Sequence, residues 1–478
     1  MDTSRTRCRA CVDRRGFLAG VAAIGGACVL ATHDALAGEN TGEDVKPKIR
    51  LVFSHHRQNA EGRQSEPGWP YLGYDCEGRK KELLEQLRKG CPRVEFLPVT
   101  AYDAADARKI LEADQEVDGY LAYMIGGWAT AAQTIAAAGR PVIYVGDLYG
   151  ASGEFLVAAA EARRKRLRAF GVTSSRFEDV VAAVRSFECL KHLQGAVMLV
   201  VGADPGEQGK AIAAVFGTKV LSISFAQLND AYAQADRAQA RQWAQKWTRE
   251  AEKVVEPSAA EIEKSGAMYV AMRNLMEQRH AQAITINCLG GFYGGNMQAY
   301  PCLGHFQLNN DGLVGACEAD QQSTITMLLM SYLVGKPGYI SDPVLDTATN
   351  RVVYLHCVAP NRAFGPSGAA NPYRIRSHAE DRKGASIQSL LPLGHLTTTL
   401  RVDPVKRQVI LHQAQTVAHV DDHKSCRTKL AAEVKGDIQR LLSEWDQWGW
   451  HRVTFYGDHR RAVEQFCTLA GLRVIEEA

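Results

Sequence analysis

The sequence has little net charge, and this excludes one class of partners. Its 478 residues include 56 Lys and Arg against 53 Asp and Glu, which gives a formal net charge of +3 at pH 7. Dedicated nucleic-acid binders usually carry a basic excess. Hydrophobic residues make up 46% and charged residues 23% of the chain, a composition that excludes disordered, collagen-like and coiled-coil classes. We therefore expect a globular, multidomain protein that does not bind nucleic acid.

After its N-terminal segment, the sequence also lacks long apolar runs and the common nucleotide-binding motifs. After residue 37 no stretch approaches the 18 or more apolar residues that a membrane helix needs, so we expect no membrane anchor. The segment 202–206 does not have the GxGxxG spacing. The glycine-rich segment 289–295 lacks the Lys-Ser/Thr ending of a phosphate loop and is better explained as a tight turn.

Residues 1–37 have the pattern of an export signal. Five arginines occur in the first fifteen residues, and Arg14-Arg15 precede an uncharged run that leads to Ala35-Leu36-Ala37. A basic segment, an apolar segment and a small-residue cleavage site are typical of secretory signals. The paired arginines resemble a twin-arginine signal. A buried N-terminal helix is the alternative, which Gly25-Gly26 disfavour. We predict export to the periplasm or the extracellular space.

The cysteines that follow residue 37 do not form a recognisable framework. They are nine in number, without regular spacing and without a CxxC pair. Disulfide frameworks are expected in small secreted domains and not in a chain of this length. The twin-arginine pathway carries folded proteins, so these thiols could be buried before they meet an oxidising compartment.

Alternating strand and helix patterns predict an α/β protein with parallel sheets. We expect two Rossmann-like α/β domains, at 48–175 and 176–345, and a C-terminal β-rich domain at 346–478. After residue 342 the pattern changes to short β segments, and the turn at 403–406 predicts a hairpin. The last segment returns to strand, helix and strand.

Two carboxylates follow predicted strands, at the positions where ligands gather in open α/β sheets. Glu318 follows the strand 312–316, and Asp342 follows the strand 338–341. A right-handed crossover would make these strands parallel and bring both acids to one sheet edge. Adjacent carboxylates repel unless they are protonated or bridged by a cation, which favours a divalent metal. Two ordinary loop acids are the alternative. Asp320 is predicted to cap the next helix.

Two histidines at strand ends favour the metal hypothesis. His356 ends one predicted strand, and His459 follows the strand 453–456. A histidine with two carboxylates suits a divalent ion such as Mn²⁺. A single histidine at a strand end is more often a core or surface residue, but here two occur in the same half of the chain as the acids.

Several short blocks of the sequence together resemble a known superfamily. The blocks are Tyr300-Pro301-Cys302, Asn310-Asp311-Gly312, Ala316-Cys317-Glu318-Ala319-Asp320, Leu333-Val334-Gly335-Lys336-Pro337, Asp342-Pro343 and His356-Cys357-Val358-Ala359-Pro360. They are similar to the L-fucose/L-arabinose isomerase superfamily, and most similar to its fucose isomerase-like branch. The resemblance covers most of residues 48–478. It implies two α/β domains and a C-terminal domain that is partly a β-barrel.

The resemblance implies a metal-dependent isomerase that interconverts an aldose and a ketose through a cis-enediol. Superfamily members place Mn²⁺ between two acids and a histidine of the C-terminal domain, and the matching residues here are Glu318, Asp342 and His459. His356 fits a further active-site histidine of the arabinose branch. The resemblance also implies a small fucose- or arabinose-like sugar and a homo-oligomer. Which acid moves the proton stays open.

The turn Gly457-Asp458-His459 departs from the superfamily pattern. Asp458 precedes His459 there, whereas a His-rich or an Asn-His sequence is expected. Asp458 is therefore a candidate for altered sugar preference. His378 is a possible pocket residue, and His55 could reach a sugar in the same or a neighbouring subunit. Two alternatives remain: an exported sugar-binding or sensing protein, and a related epimerase or lyase.

Overall fold

The computed structural model describes residues 46–57 and 69–478. The predicted export signal at 1–37 lies outside the described residues. Within them, strands form three large sheets and one small sheet. No helix in these two ranges is both long enough and apolar enough to cross a membrane.

The first sheet has five parallel strands in the order β2-β1-β3-β4-β5. Its elements are β1 (Lys48–Ser54), α1 (Cys76–Gly90), β2 (Glu95–Ala101), α2 (Ala104–Ala113), β3 (Gly119–Met124), α3 (Ala131–Ala137), β4 (Val142–Gly146), α4 (Ser152–Arg164) and β5 (Ala169–Val172). Successive side chains of a strand point to opposite faces. Leu51 and Phe53 accordingly pack in one apolar cluster and Val52 in another. Both faces of this sheet are therefore covered, as is usual for parallel sheets.

The second sheet has four parallel strands in the order β10-β9-β6-β7. Its elements are α5 (Phe177–Gly195), β6 (Val197–Val201), α6 (Gly206–Phe216), β7 (Lys219–Ile223), α7 (Phe225–Ala233), α8 (Arg237–Glu250), α9 (Ala259–Gln278), β9 (Ala283–Ile286), α10 (Cys288–Tyr293), α11 (Cys302–Asn310), β10 (Val314–Cys317) and α12 (Gln321–Val334). The prediction of an α/β protein with two parallel sheets is confirmed.

The third sheet is a closed antiparallel barrel. Its elements are β11 (Tyr339–Asp346), β12 (Arg351–His356), β15 (Leu396–Asp403), β16 (Gln408–His419), β17 (Thr428–Val434), α13 (Ile438–Glu444), β18 (Arg452–Tyr456), α14 (Arg460–Ala470) and β19 (Arg473–Glu476). Strands follow the order β15-β18-β11-β12-β17-β16, and β16 pairs back with β15 through the predicted hairpin. β19 extends the sheet parallel to β16. The barrel implied by the superfamily resemblance is confirmed.

A small sheet connects segments that are distant in sequence. It contains β8 (Lys253–Val254), β13 (Tyr373–Arg376) and β14 (Ser386–Ser389). The predicted boundary at 345/346 falls inside β11, which belongs wholly to the barrel sheet. The domain boundaries themselves stay predictions.

One sequence-based expectation about the sheets is wrong. The strand that carries Asp342 does not lie parallel to the strand that precedes Glu318, because β11 pairs antiparallel with β12 and β18 in the barrel. The reason is the helix between them. α12 is buried along most of its length, as expected of a helix that is apolar on all sides. Ile325 and Leu328 share one core with Leu400 of the barrel, so the chain leaves α12 into a new sheet.

A buried ion pair ties the start of β18 to the C-terminus. The Arg452 guanidinium is fully buried and donates to Glu477 Oε2 at 3.0 Å from both Nε and Nη2, and to Oε1 at 3.2 Å from Nε. The Nδ1 atom of His412 lies 2.7 Å from the same carboxylate. Burial would raise the pKa of Glu477, but the charge of Arg452 outweighs it and lowers the pKa to about 2. This carboxylate therefore stabilises the fold above its ordinary pKa of 4.5, and the contribution is lost as the pH falls toward 2.

We expect Arg452→Met to lower the free energy of unfolding by about 3–5 kcal/mol, because it leaves the Glu477 carboxylate buried without its charged partner. Urea denaturation at neutral pH measures this. The matched control is Arg460→Met, which breaks a half-exposed pair with Glu476 and should cost less than about 1 kcal/mol. Equal losses in the two variants would contradict the prediction.

Candidate metal centre

Four polar side chains from the second sheet and the barrel come together at one place. Glu318 follows β10 directly, Asp342 lies within β11, His356 ends β12 and His451 precedes β18. In the antiparallel register, Asp342 lies beside the end of β12 and the start of β18. The barrel therefore supplies three of the four side chains, and the parallel sheet supplies the fourth.

The distances between these side chains are short. His451 Nε2 lies 3.1 Å from Asp342 Oδ1 and 3.4 Å from Glu318 Oε2. His356 Nε2 lies 3.7 Å from Glu318 Oε1. One ligand atom each from Glu318, His356 and His451 lie within 4.8 Å of one another. The two histidines are buried, whereas the Glu318 side chain is 30% exposed, so solvent reaches the cluster on the side of Glu318.

The backbone at Glu318 is held in an uncommon conformation. Its φ is +65°, and that of Ala319 is +52°. The left-handed region costs about 1–2 kcal/mol for a residue with a Cβ atom. Such strained residues cluster at functional sites, where the surrounding structure maintains them. Here the backbone N–H of Ala319 donates to the carbonyl of Ile286 at 3.0 Å, which fixes the turn that presents Glu318.

Asp320 contacts the His451 ring at Nδ1, the nitrogen that faces away from the cluster, and Arg401 holds Asp320 in place. The Oδ2 atom of Asp320 lies 2.9 Å from His451 Nδ1, while Oδ1 accepts the backbone N–H of Ser323 at 3.0 Å, which confirms the predicted helix cap. Arg401 donates to Asp320 at 2.7 Å, to Gln322 at 2.9 Å and to the carbonyl of His451 at 3.1 Å. Burial would raise the pKa of Asp320, but Arg401 and His451 hold it well below its usual range.

This arrangement orients the His451 ring. The ionised Asp320 carboxylate accepts the hydrogen on Nδ1, so Nε2 points at Glu318 and Asp342. A carboxylate that fixes the far nitrogen of a histidine is the usual support of metal-ligating histidines. Arg401 in turn keeps this carboxylate in place.

The pKa values of the side chains in the cluster are shifted in different directions. Burial raises the pKa of Glu318, and the nearby Asp342 adds to the effect. Burial would also raise the pKa of Asp342, but His451 and His356 outweigh it and lower this pKa. Burial would lower the pKa of His451, yet hydrogen bonds with Asp320 and Asp342 raise it to about 10. Two buried carboxylates thus need a positive charge between them, which the imidazolium or a cation can supply.

His356 has a different protonation from His451. Its Nδ1 accepts the backbone N–H of Cys357 at 2.9 Å, and burial lowers its pKa to about 4. The neutral ring therefore carries its hydrogen on Nε2. Nε2 is buried without a hydrogen-bond partner and faces Glu318, so it is available as a hydrogen-bond donor in the pocket.

The donor set fits a divalent cation. The buried His451 Nε2 faces two carboxylates, Asp342 Oδ1 at 3.1 Å and Glu318 Oε2 at 3.4 Å. Imidazole with carboxylates is a ligand set for Mn²⁺ and related ions. Glu318, His356 and His451 could hold it with ligand atoms within 4.8 Å of one another, and Asp342, 3.1 Å from His451 Nε2, is a further candidate ligand.

The structure does not bring His459 to this cluster. His459 follows the end of β18, whereas His451 precedes its start, and the five-residue strand between them spans roughly 17 Å. The Nε2 atom of His459 lies 3.0 Å from the carbonyl of Tyr456, and its backbone N–H donates to Thr398 Oγ1 at 3.0 Å. The barrel histidine beside the two acids is therefore His451, whereas the superfamily resemblance implied His459.

His378 lies near the cluster without joining it. Its Nδ1 atom lies 3.1 Å from Asp381 Oδ1, and its ring contacts Phe292 and Tyr300. His378 is also among the neighbours that lower the pKa of His356. This position is compatible with the predicted role of His378 as a pocket residue.

The other two predicted residues lie elsewhere. His55 follows β1 and is buried, with Nδ1 2.8 Å from the carbonyl of His56 and its ring edge-on to Tyr102. Asp458 accepts a hydrogen bond from Gln413 at 2.9 Å. Neither has a described contact with the four clustered side chains.

Sequence reasoning missed His451 and the second role of Asp320. His451 is not among the site residues that the sequence suggests, since no local motif marks it. One signal is nevertheless present, because Arg401 lies in the segment 396–402, whose other positions are apolar or β-branched. A buried arginine needs a carboxylate partner, and the search for that partner leads to Asp320.

We expect Asp320→Asn to weaken Mn²⁺ binding roughly 10-fold, because the loss of the charged partner loosens the orientation of His451. Isothermal titration calorimetry measures the affinity. Asp437→Asn is a matched control, since Asp437 caps α13 and has no described contact with the cluster. A weakened affinity in both variants, or in neither, would contradict the role given to Asp320.

Sequence comparison identifies known proteins that are similar to parts of this chain. No family model matches the chain. The chain is 26% identical over 284 residues to the sulfoquinovose isomerase of Alkalicoccus urumqiensis, which covers 58% of this chain and 61% of that protein. It is 26% identical over 202 residues to the sulfoquinovose isomerase of Clostridium sp. (strain MSTE9), covering 40% and 43%. A third sulfoquinovose isomerase, from Priestia aryabhattai, is 29% identical over 113 residues, covering 22% and 25%.

These matches span less than two thirds of the curated relatives' own lengths. The relatives share one name, and that name describes the isomerisation of a sugar. The chain that carries this cluster of two acids and two histidines is thus similar over about three fifths of its length to proteins named sulfoquinovose isomerase.

Proposed function

We propose that the protein is a metal-dependent isomerase that interconverts an aldose and a ketose. The observation that carries the proposal is that the buried His451 Nε2 lies 3.1 Å from Asp342 Oδ1 and 3.4 Å from Glu318 Oε2. The similarity to proteins named sulfoquinovose isomerase supports the class of reaction.

In this proposal Glu318, Asp342 and His451 hold a divalent cation, with Mn²⁺ as the first candidate. When bound, the cation supplies Lewis-acid stabilisation of the negative charge that develops on the sugar oxygens at C1 and C2. The chain itself contributes the fixed geometry, because Asp320 and Arg401 hold His451 in one orientation.

We assign the proton transfer between C1 and C2 to Glu318. Asp342 is held in place, since Trp450 Nε1 donates to its Oδ1 at 2.6 Å and the Cys426 thiol lies 4.0 Å from its Oδ2. Glu318 has only the two histidine contacts and is the more exposed of the two acids. It removes the proton from C2 of the aldose and returns it to C1 through the cis-enediol. The hydroxyl proton on O2 passes to O1 in the same interconversion, and His356 donates a hydrogen bond from Nε2 to a sugar oxygen.

The substrate in this proposal is a small aldose of deoxyhexose or pentose size. Sulfoquinovose, a 6-deoxyhexose that carries a sulfonate, is the first sugar to test, with L-fucose and L-arabinose as neutral comparisons. Export by the twin-arginine pathway and assembly into a homo-oligomer, both expected from the sequence, belong to the same proposal.

The test is to incubate the purified protein with each aldose in D₂O, with Mn²⁺ or with chelator, and to follow ketose formation by NMR. We expect turnover only with the metal, and deuterium in the product at the carbon that receives the proton. Sugar binding without turnover would favour the exported binding protein. An epimer or a cleaved product would favour an epimerase or a lyase. Turnover that chelator leaves unchanged would contradict the metal-dependent reaction.

A further inference from the structure

A cleft lies between the first sheet and the C-terminal helix. Its volume is about 830 Å³, which is within the size range of small-molecule sites. One wall is the end of α4 with the start of β5, and the other is formed by α14, the start of β19 and the turn of the β15–β16 hairpin. None of the lining residues belongs to the metal centre. We call this space the arginine cleft, because four arginines line it: Arg163, Arg166, Arg407 and Arg473.

The arginine cleft carries an excess of positive charge. One acid, Glu464, lines it beside the four arginines, so the excess is three charges. Within residues 46–57 and 69–478, none of these five side chains is in an ion pair. The C-terminal ends of α4 and α14 supply about half a negative charge each. About two positive charges of the cleft are therefore left without a counter-charge in the protein.

Two guanidinium groups meet at the C-terminal end of α14. Arg407 Nη2 donates to the Ala470 carbonyl at 3.3 Å, and Arg168 Nε donates to the preceding carbonyl, that of Leu469, at 2.7 Å. Both groups lie beside Gly471, where a Cβ atom would be 3.5 Å from Arg407 Nη2 and 3.9 Å from Arg168 Cδ. Arg407 has five N–H donors. One bond thus holds its guanidinium at the edge of the cleft and leaves the other donors for a ligand.

The backbone at two of the lining arginines departs from local preference. The φ angle is +52° at both Arg166 and Arg407. Such left-handed positions after a helix or in a turn usually carry Gly or Asn, because other side chains are strained there. The Arg166 side chain forms no hydrogen bond with any described residue. Strained residues of this kind cluster at ligand sites, and the contact that would explain this arginine lies outside the protein.

We propose that the arginine cleft binds a small organic phosphate that carries two negative charges. Arginine forks match the oxygens of a phosphate bidentately. A phosphate monoester has a second pKa of about 6, so its charge at neutral pH matches the two uncompensated charges of the cleft. Apolar side chains complete the lining and suit the organic part of the ligand: Leu167, Phe170 and Leu472. The site is independent of the proposed isomerase reaction.

The experiment titrates the full chain with phenyl phosphate by calorimetry. Chelator is present, so that no cation can hold the phosphate at the metal centre, and phenyl phosphate is not an aldose. Phenyl sulfate is the matched ligand, because it has the same shape and one negative charge fewer. We expect one phenyl phosphate per chain and at least about 10-fold weaker binding of phenyl sulfate.

Arg166→Asn should weaken the binding of phenyl phosphate about 10-fold or more, because charged hydrogen-bond donors are lost. Asparagine is common at left-handed positions that end helices, so the melting temperature should not fall and unfolding cannot explain the loss. Arg407→Gln should weaken binding to a similar extent. The matched control is Arg164→Gln, which removes the same charge from the last turn of α4 but does not line the cleft. Its affinity should stay within about 2-fold, because salt screens exposed charges.

Three outcomes would overturn this inference. The first is no binding of phenyl phosphate at millimolar concentration, and the second is an equal affinity for phenyl sulfate. The third is an equal loss of affinity in Arg164→Gln and Arg166→Asn, which would indicate general attraction to a basic surface. All three leave the proposed isomerase in place, because the titration contains neither metal nor sugar.

Discussion

Glu318→Gln should lower kcat about 1,000-fold, because it removes the group assigned to proton transfer. Glutamine has nearly the same size as glutamate, and the Glu318 side chain is 30% exposed, so the fold should be retained. KM for the sugar should change much less than kcat, since the loss affects the proton transfer more than ground-state binding. Steady-state rates at saturating Mn²⁺ measure both parameters.

A matched control for this variant is Glu433→Gln. Glu433 is an exposed residue of β17 and has no described contact with the cluster, so both kinetic parameters should stay unchanged. If Glu318→Gln retained more than about a tenth of kcat at saturating metal, Glu318 would not be the proton-transfer group.

His451→Gln should weaken Mn²⁺ binding by more than about 100-fold, because it replaces the imidazole Nε2 that faces both carboxylates. The glutamine also cannot reproduce the contact with Asp320 at 2.9 Å, so the buried carboxylate loses a partner as well. Calorimetric titration of the metal-free protein with Mn²⁺ measures the loss.

The decisive comparison for this second variant is His459→Gln. His459 contacts the Tyr456 carbonyl and not the acids, so its replacement should leave the Mn²⁺ affinity within about 2-fold. The opposite pattern, with His459 essential and His451 dispensable, would restore the ligand that the superfamily resemblance implied and would contradict the geometry described above.

The fold class could be predicted from the sequence because it depends on the local periodicity of apolar residues. Strands that alternate with helices up to β10 specify two parallel sheets, and the shift to short β segments after residue 342 indicates a different C-terminal architecture. The acids Glu318 and Asp342 could be singled out for the same reason, since each directly follows a strand predicted from the sequence, although Asp342 lies inside β11 in the structure. The cap at Asp320 was likewise a local feature.

The histidine that lies beside these acids could not be predicted from the sequence, because its identity depends on which strands pair. If β18 ran parallel to β10, its C-terminal end and His459, three residues beyond it, would meet the acids. In the structure β18 runs antiparallel to β11, so the residue before it, His451, lies beside Asp342. The sequence by itself determined the two parallel sheets and the helix cap, and it singled out the two acids as candidates. Only the tertiary structure decided which histidine lies beside the acids and how Asp320 and Arg401 support it. The physical reason is that the helix α12 separates the second sheet from the barrel, and this separation sets strand direction and long-range burial.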